Sequence, residues 1–182
     1  MPDLPYKKII SLVPSLTELL FDLGLKNQIV GRTRFCIHPK DEVENVDIVG
    51  GTKNTKLDDI VAMEPDLVVA NKEENEKDDI ELLQKYTEVR ITVIETIEDA
   101  ILEISSLGKQ LGVQKRANDL VDNINHLLKS RPECQPLSVA YFIWKDPWMS
   151  VGYDTYIHHV LQNWQLTNVY GNKTRYPKTT LD

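Results

Sequence analysis

The sequence predicts an α/β fold: a Rossmann-like lobe with a parallel sheet, a long connecting backbone helix, and a partial second α/β lobe. Three observations support this prediction. Short β-branched runs alternate with helical segments across residues 7–95, which favours right-handed crossovers and a mostly parallel sheet. Residues 96–131 repeat apolar side chains at helical spacing. A further strand and helix then follow a proline-containing linker.

The predicted elements of the first lobe begin with a buried strand at residues 7–13. Ser15 and Glu18 match a capping box, which predicts that a helix starts at Ser15, and Gly24 matches its C-terminal stop. The remaining predicted strands share short apolar runs and lie at residues 29–31, 46–49, 66–70 and 89–94. The remaining predicted helices lie at residues 56–63 and 78–86.

The helical stretch after the first lobe begins at Thr96, a suitable N-cap. Gly112 should divide it into two helices, since glycine costs about 1 kcal/mol relative to alanine inside a helix. The second helix, residues 114–130, would be about 25 Å long, enough to bridge two lobes. An ordinary surface helix within one domain has the same spacing.

The second lobe is predicted to hold a strand at residues 137–144, continued by 149–151, and a helix at 154–164. Residues 167–182 resemble a loop. About one βα unit is too little for an independent core, so we infer a fragment or self-association through this lobe. The predicted domains are an N-terminal lobe at 1–112, a backbone helix at 113–132 and the start of a second lobe at 133–182.

Composition excludes several classes of function. The net charge of -7 over 182 residues argues against nucleic-acid binding, which needs a basic surface. No apolar run is long enough to cross a membrane, and the N-terminus lacks the pattern of a signal peptide. Cys36 and Cys134 form neither a CxxC motif nor a disulfide framework, so the redox compartment stays undecided.

Candidate site residues follow the carboxyl ends of the predicted strands, where open α/β sheets bind ligands. Aromatic side chains around a polar-rimmed cleft suit a large flat ligand. The alternative is that Phe35 and Trp144 belong to the core and Trp148 to a rim. The candidate ligand-binding residues are Ser15, Arg34, Phe35, His38, Thr52, Asn71, Trp144 and Trp148.

Other patterns favour ordinary structural explanations. The glycine-rich segment at residues 50–53 fits neither a P-loop nor GxGxxG, so we predict a simple turn. His158 and His159 adjoin on a helix and point to different sides, which disfavours a zinc site. The charged run at residues 72–79 is either a solvated face or a docking patch. No catalytic triad spacing or GxSxG motif is present.

Four segments together resemble the ABC-importer receptors for vitamin B12, haem and iron–siderophores, and within that class especially the cobalamin-binding proteins. They are, in chain order, IISLVPSLTELLFDLGL, VGRTRFCIHP, VGGTKN and LDDIVAMEPDLVVANKEEN. The resemblance covers most of residues 7–181, and residues 60–68 are its most specific part. It implies two α/β lobes joined by one rigid helix, ligand capture between the lobes and delivery to a membrane permease.

The resemblance also implies roles for individual positions. Phe35 matches an aromatic residue that contacts the corrin, and Trp148 matches an aromatic residue of the second lobe. Asn71 stands where an aromatic side chain can line the pocket, which is a departure from the family. The family presents acidic residues to permease arginines, and the matching candidates here are Glu73, Glu74, Glu76 and Asp182. Family members continue beyond the position of Asp182, so a complete cleft is in question.

Two classes of function follow. The favoured one is a binding protein with no catalytic residue, no metal site and no intrinsic cofactor, whose ligand is cobalamin or another metal chelate. The alternative is a Rossmann-type enzyme or a metal-handling protein that uses Cys36 and His38 as ligands. The resemblance implies a periplasmic or cell-envelope location, whereas the missing signal peptide leaves a cytoplasmic location open.

Overall fold

The structure, a computed structural model, describes residues 4–132 and 135–180. Within these residues the chain divides into two units. One comprises the described residues up to Val93 together with Ile104–Leu120. The other comprises Ile94–Glu103 and the described residues from Val121 onward. The domain boundaries predicted from the sequence remain predictions.

The first unit contains a five-stranded parallel sheet, as the sequence predicted. Every neighbouring pair of strands is parallel, and the strand order is β3-β2-β1-β4-β5. The strands are β1 (Ile9–Ser11), β2 (Ile29–Arg32), β3 (Asp47–Ile48), β4 (Leu67–Asn71) and β5 (Glu88–Thr92).

Helices connect these strands. Those that lie between strands of the sheet are α1 (Pro14–Asp22), α2 (Lys40–Val43), α3 (Leu57–Ala62) and α4 (Lys77–Leu83). On one side of the sheet, Val68 and Ala70 of β4 share a buried cluster with Ile60 of α3 and Ile80 of α4. Leu67 and Val69, on the other side of β4, are also fully buried, which explains the apolar run that precedes Asn71.

The start of α1 differs from the prediction. Its N-cap residue is Val13, no side chain caps it, and Pro14 occupies the first helical turn. The predicted capping box at Ser15 and Glu18 is therefore wrong. Proline lacks an N–H and has a fixed φ, so it suits the first helical position and moves the start upstream of Ser15. The predicted stop is confirmed, because Gly24 follows the helix with a φ of +76°.

Two consecutive helices, α5 (Ile97–Gln110) and α6 (Gln114–Lys129), confirm the predicted division at Gly112, whose φ is +73°. Thr96 caps α5 as predicted. Its Oγ1 accepts a hydrogen bond from the Asp99 N–H at 3.0 Å, and the Asp99 carboxylate accepts one from the Thr96 N–H at 2.9 Å. The division between the two units falls within both helices.

The second unit holds more strands than the sequence predicted. Its elements are β6 (Leu137–Val139), β7 (Trp148–Met149), α7 (Tyr156–Asn163), β8 (Leu166–Asn168) and β9 (Lys178–Thr179). β6 pairs in parallel with β8, and β7 pairs antiparallel with β9.

Two predictions for this unit are therefore wrong. The strand predicted at 137–144 ends at Val139, and Trp144 forms only an isolated bridge with Met149. The segment predicted as a loop, residues 167–182, contains β9 and the last two residues of β8. Strands of two or three residues are too short for a periodic pattern to indicate them.

Apolar side chains of the second unit, such as Leu137 and Ile143, are exposed. The predicted self-association through this unit remains a prediction. None of the helices in the described residues combines the length and the apolar character needed to cross a membrane.

Candidate functional site

The candidate site of the first unit lies at the carboxyl ends of its parallel strands. β1, β2 and β3 follow one another across the sheet in one direction, and β4 then starts on the opposite side of β1. The strand order thus reverses between β1 and β4, the place where open α/β sheets bind ligands. We call the loops at this end, residues 12–13, 33–39, 49–56 and 72–76, the carboxyl edge.

Asn75 joins three of these loops. Its side chain is almost fully buried, with 6% exposed. Its Oδ1 accepts a hydrogen bond from the Asn71 N–H at 2.9 Å, and its Nδ2 donates to the Leu12 carbonyl at 3.4 Å and the Thr52 carbonyl at 3.2 Å. Buried hydrogen bonds of this kind fix loop positions, because breaking one leaves a buried polar group unsatisfied.

Sequence analysis did not single out Asn75. Its only sequence signal is a neutral amide inside a charged run directly after a buried strand. Thr52, a predicted ligand contact, is partly buried, and its carbonyl is the group that Asn75 holds. Ser15, another predicted contact, is exposed in the first turn of α1.

Asn71 ends β4 with its side-chain amide engaged on both sides. Its Nδ2 donates to the Thr92 hydroxyl at 3.0 Å, and its Oδ1 accepts from the Glu73 N–H at 2.9 Å. The buried Thr92 in turn donates to the Ala70 carbonyl at 3.1 Å. Asn71 therefore shapes the end of β4, and its predicted role as a ligand contact remains a prediction.

The loop after β2 presents Arg34 and Phe35 together. The Arg34 guanidinium carbon lies 5.1 Å from the centroid of the Phe35 ring, and its Nη2 donates to the Asn54 side-chain oxygen at 3.1 Å. The Arg34 N–H also donates to the Gly50 carbonyl at 2.8 Å. Phe35 is 51% exposed, so the alternative prediction that it belongs to the core is wrong. Its ring is available to a ligand.

Gly51 makes this arrangement possible. A Cβ atom at this position would lie 2.3 Å from the Asn54 side-chain oxygen, 3.1 Å from Arg34 Nη2 and 3.2 Å from Phe35 Cε2. Any side chain at residue 51 would therefore displace the Asn54 side-chain oxygen and crowd Arg34 and Phe35. The segment itself is a tight turn, with the Gly51 N–H donating to the Asn54 carbonyl at 3.3 Å, which confirms the predicted turn.

A buried arginine fixes the start of the same loop. Arg32 is 7% exposed, and its Nε donates to the Val43 carbonyl at 2.9 Å while its Nη1 donates to the Thr33 carbonyl at 3.3 Å. Its contacts show that it connects the end of β2 to α2.

Cys36 and His38 have different surroundings. Cys36 is 1% exposed, and its Sγ lies 3.1 Å from the Thr33 hydroxyl, whereas His38 is exposed. Across residues 4–132 and 135–180, no group of three or more His, Cys, Asp or Glu side chains is arranged to hold a metal ion. The alternative metal site thus has no third ligand in that part of the chain.

Trp144 and Trp148 belong to the second unit. The Trp144 side chain is 63% exposed, so it is not a core residue. Trp148 is partly buried, contacts the Phe142 ring edge-on with a centroid distance of 5.2 Å, and has Lys145 Nζ 6.0 Å from its own centroid. Phe142 also lies edge-on to Tyr170, at 6.4 Å. Sequence analysis missed Phe142, which supports Trp148.

The acidic residues after β4 are exposed but not isolated. Lys53, from the loop after β3, donates to the Glu73 carbonyl at 3.2 Å and lies 3.4 Å from Glu76 Oε1. Lys53 therefore offsets part of the charge of this cluster, whereas the neighbouring Lys77 pairs with Glu81 at 3.4 Å. Lys53 is distant in sequence, so only the tertiary fold brings it here.

Two predicted residues cannot be placed. Asp182, the predicted docking residue of the second lobe, lies outside the described residues, as does Cys134.

The second unit contains one buried histidine, His158, which is 7% exposed. The Asn168 amide nitrogen lies 3.1 Å from His158 Nδ1 and donates to the Val151 carbonyl at 2.8 Å, while its oxygen accepts from the Tyr170 N–H. The amide therefore donates to Nδ1, and the neutral ring carries its proton on Nε2. Burial, together with the neighbouring His159, lowers the pKa of His158.

Similarity to known proteins covers almost the whole chain. A family model described as periplasmic binding protein matches residues 9–176. The uncharacterized ABC transporter substrate-binding lipoprotein YvrC of Bacillus subtilis is 30% identical over 188 residues, which cover 96% of this chain and 59% of YvrC. A vitamin B12-binding protein of Vibrio parahaemolyticus is 24% identical over 188 residues, covering 100% of this chain and 68% of that protein.

Solved structures show the same fold. The periplasmic vitamin B12 binding protein BtuF of Vibrio cholerae superposes with a TM-score of 0.86 at 21% identity, over 97% of this chain and 71% of BtuF. The periplasmic haem-binding protein RhuT of Roseiflexus sp. RS-1 gives a TM-score of 0.83 at 16% identity, over 96% of this chain and 70% of RhuT. These likenesses confirm the predicted fold class. The chain spans 59% of the length of YvrC.

Proposed function

This chain belongs to the periplasmic binding protein family, and we propose on that premise that it is the substrate-binding component of an ABC importer. In this proposal it captures a metal-chelate ligand and delivers it to a membrane permease. The proposal is supported by the similarity to YvrC, which is named as an ABC transporter substrate-binding lipoprotein. It is also supported by the similarity to proteins named for binding vitamin B12 and haem.

One structural observation carries the proposal. The carboxyl edge combines loops that are held in place with side chains that are exposed. Asn75 joins the loops after β1, β3 and β4 through buried hydrogen bonds. Beside them, Phe35 exposes about half of its side chain. A fixed loop set with an exposed aromatic ring supports ligand binding, because little conformational entropy is lost when the ligand binds.

The proposed ligand is a large metal chelate such as cobalamin, haem or a ferric siderophore. In the first unit we assign the contacts to Phe35 and Arg34, with Ser15, His38, Thr52 and Asn71 as further candidates. In the second unit we assign them to Trp148 and Trp144. An aromatic face of this kind buries apolar ligand surface at about 25 cal/mol per Å².

We propose that the acidic residues after β4 meet basic residues of the permease. Glu73, Glu74 and Glu76 are exposed, and exposed ion pairs contribute only about 0–1 kcal/mol to folding. A partner with arginines gains association rate and orientation from such a cluster. Because Lys53 pairs with Glu76, Glu74 is the member of the cluster with the fewest local contacts among those that the structure describes, and it is our first choice for docking.

The proposed location is the cell envelope, because the importer's permease lies in the membrane and the relatives are named as a substrate-binding lipoprotein and a periplasmic binding protein. The proposal includes no catalytic step and no resident cofactor. A metal-handling enzyme that uses Cys36 and His38 has less support, since Cys36 is buried away from solvent while His38 is exposed.

The proposal is tested by a thermal-shift and absorbance screen of the chain with cyanocobalamin, haemin and a ferric siderophore. We expect at least one of these compounds to raise the melting temperature and to bind saturably with a change in its absorbance spectrum. Binding selectively stabilises the folded state, so the shift should grow with ligand concentration. If none of the three compounds raises the melting temperature or changes its spectrum, the proposal is wrong.

Two substitutions then test the assigned contacts. Phe35→Ala and Trp148→Ala should each weaken binding at least about tenfold, equivalent to about 1.4 kcal/mol. The matched controls are Tyr86→Ala, in an exposed position beside the amino end of β5, and Trp164→Ala, an exposed tryptophan of the second unit. These controls should leave affinity unchanged. If a contact variant and its control change the affinity equally, that residue is not a ligand contact.

A further inference from the structure

A basic group accompanies an aromatic ring at both of the principal proposed ligand contacts. In the first unit the Arg34 guanidinium carbon lies 5.1 Å from the Phe35 centroid. In the second unit Lys145 Nζ lies 6.0 Å from the Trp148 centroid. Each distance is within the range of a cation–π contact. A ligand that stacks on either ring therefore meets a positive charge at the same place.

The positive charge of Arg34 is not neutralised by an acidic side chain. Among residues 4–132 and 135–180, no aspartate or glutamate forms an ion pair with it. Within the described residues, its side chain forms one hydrogen bond, to the neutral Asn54 amide. Glu76, an acidic residue of the carboxyl edge, pairs with Lys53. Since a guanidinium has several N–H donors, most of those of Arg34 have no protein acceptor in the described chain.

The exposed Arg34 guanidinium nevertheless makes two contacts with its own loop and with a neighbouring loop. Asn54 accepts a hydrogen bond from its Nη2, and the Phe35 ring supports one of its faces. Gly51 provides the space for this approach, because a Cβ there would lie 3.1 Å from Nη2. Ordinary surface arginines extend into solvent and sample many rotamers. The contacts with Asn54 and Phe35 favour one orientation of the guanidinium, which reduces the entropy lost when a ligand binds.

We propose that Arg34 recognises an anionic oxygen group, a carboxylate or a phosphodiester, at the periphery of the bound chelate. The inference rests on the proposed function and specifies the chemistry of its ligand. A planar guanidinium matches the geometry of such groups and can donate two parallel hydrogen bonds to them. Asn54 and Gly51 are positioning residues for Arg34. Lys145 contributes a second positive charge beside Trp148.

Two pairs of compounds separate the possible sources of the anionic group. Haemin carries two ionised propionates that are neutral esters in its dimethyl ester, and cyanocobalamin carries a nucleotide with a phosphodiester that dicyanocobinamide lacks. We expect the anionic member of at least one pair to bind about tenfold or more tightly than its partner, as measured by absorbance titration. That preference should shrink at high salt, since the contact is electrostatic and partly exposed.

Substitution of Arg34 distinguishes ligand recognition from a role in folding. Arg34→Gln should abolish the preference within the pair while leaving the neutral member's affinity nearly unchanged, and Arg34→Lys should retain part of it. Asn54→Ala and Gly51→Ala should reduce the preference, because they release or displace the guanidinium. Lys85→Gln removes one positive charge from an exposed site beside the amino end of β5 and should have no effect.

Three results would overturn the inference. If both members of each pair bind equally, Arg34 does not recognise an anionic group, although the proposed function stands. If Arg34→Gln weakens the binding of both members of a pair equally, Arg34 contributes to folding or to stacking of the ligand and does not recognise the anionic group. If neither pair nor the ferric siderophore binds, the proposed function fails and the inference fails with it.

Discussion

The side-chain amide of Asn75 donates a hydrogen bond to the Thr52 carbonyl at 3.2 Å, and so joins the loop after β4 to the loop after β3. The same nitrogen lies 3.4 Å from the Leu12 carbonyl, at the end of β1. One buried amide thus connects the two strands between which the strand order reverses, β1 and β4, to a third loop. The geometry of the proposed site therefore depends on the Asn75 side chain.

Asn75→Ala should lower the free energy of unfolding by about 1–3 kcal/mol, because it leaves buried polar groups unsatisfied. It should also weaken binding of the ligand found in the screen. Asn75→Asp should cost a similar amount, since a carboxylate can accept from the Asn71 N–H but cannot donate to the two carbonyls. Urea denaturation provides the measurement, and the exposed Asn118 of α6 offers the control Asn118→Ala. A change within about 0.5 kcal/mol for Asn75→Ala would contradict its role as a connector.

The approach of α5 to α6 at Gly108 and Ala117 gives a second prediction. A Cβ at Gly108 would lie 2.2 Å from the Ala117 Cβ. Gly108→Ala should therefore destabilise the first unit by about 1–3 kcal/mol, although the same change normally stabilises a helix. The compensating double variant Gly108→Ala with Ala117→Gly should recover much of the loss in thermal denaturation. Additive effects of the two changes would show that the helices do not meet at this point.

Much of the first unit could be predicted because its sequence patterns are local. The run at β4 is apolar without interruption, which is typical of a parallel strand covered on both faces. Thr96 indicated the start of α5 through its capping hydroxyl, and Gly112 indicated the break between α5 and α6 through its backbone freedom. The error at Ser15 arose because Pro14 offers a competing start signal one residue earlier. The strands β8 and β9 were missed because two or three residues carry no measurable periodicity.

The pH dependence of stability gives a third prediction, centred on His158. Burial, with a contribution from His159, lowers the pKa of His158 in the folded protein. The unfolded chain, with an ordinary histidine pKa of about 6.5, therefore binds more protons just below that pH. The free energy of unfolding should fall as the pH decreases through about 6.5, and level off below the folded pKa. Protonation would also place an Nδ1–H against the Asn168 amide nitrogen.

Urea denaturation between mildly alkaline and mildly acidic pH measures this effect. His158→Gln should flatten the dependence, while His126→Gln, a change in the last turn of α6, should leave it unchanged. The same slope in the wild type and in His158→Gln would assign the pH dependence to other groups.

The acidic cluster after β4 gives a fourth prediction. Replacing Glu73, Glu74 and Glu76 with glutamine should leave the melting temperature and ligand affinity nearly unchanged, because exposed pairs contribute little to stability. Association with the cognate permease in nanodiscs should weaken, most strongly at low salt. The single change Glu74→Gln should account for more of this loss than Glu76→Gln, whose carboxylate pairs with Lys53. If the triple variant melts at a lower temperature, the cluster contributes to folding stability. If its association with the permease is unchanged, the cluster is only a solvated surface.

The candidate site was less predictable than the fold. The edge of the sheet that carries it follows from the order of strands and helices, so Arg34, Phe35 and Asn71 could be placed there from the sequence. Their contacts depend on residues distant in the chain, such as Asn54 for Arg34 and Thr92 for Asn71. Asn75 was overlooked because an asparagine in a charged run normally indicates a solvated loop.

The central claim is that the carboxyl edge of the first unit binds the ligand, and backbone hydrogen exchange tests it most directly. The structure offers an internal control: a shallow cavity of about 290 Å³ at the other end of the sheet, lined by residues that include Ile60, Pro65 and Tyr86. Exchange should be measured on the chain with and without saturating haemin or cyanocobalamin, whichever binds. We predict slower exchange in residues 33–39, 49–56 and 72–76, with no change at residues 84–88. Slower exchange around Pro65 and Tyr86, with the carboxyl edge unaffected, would contradict the account.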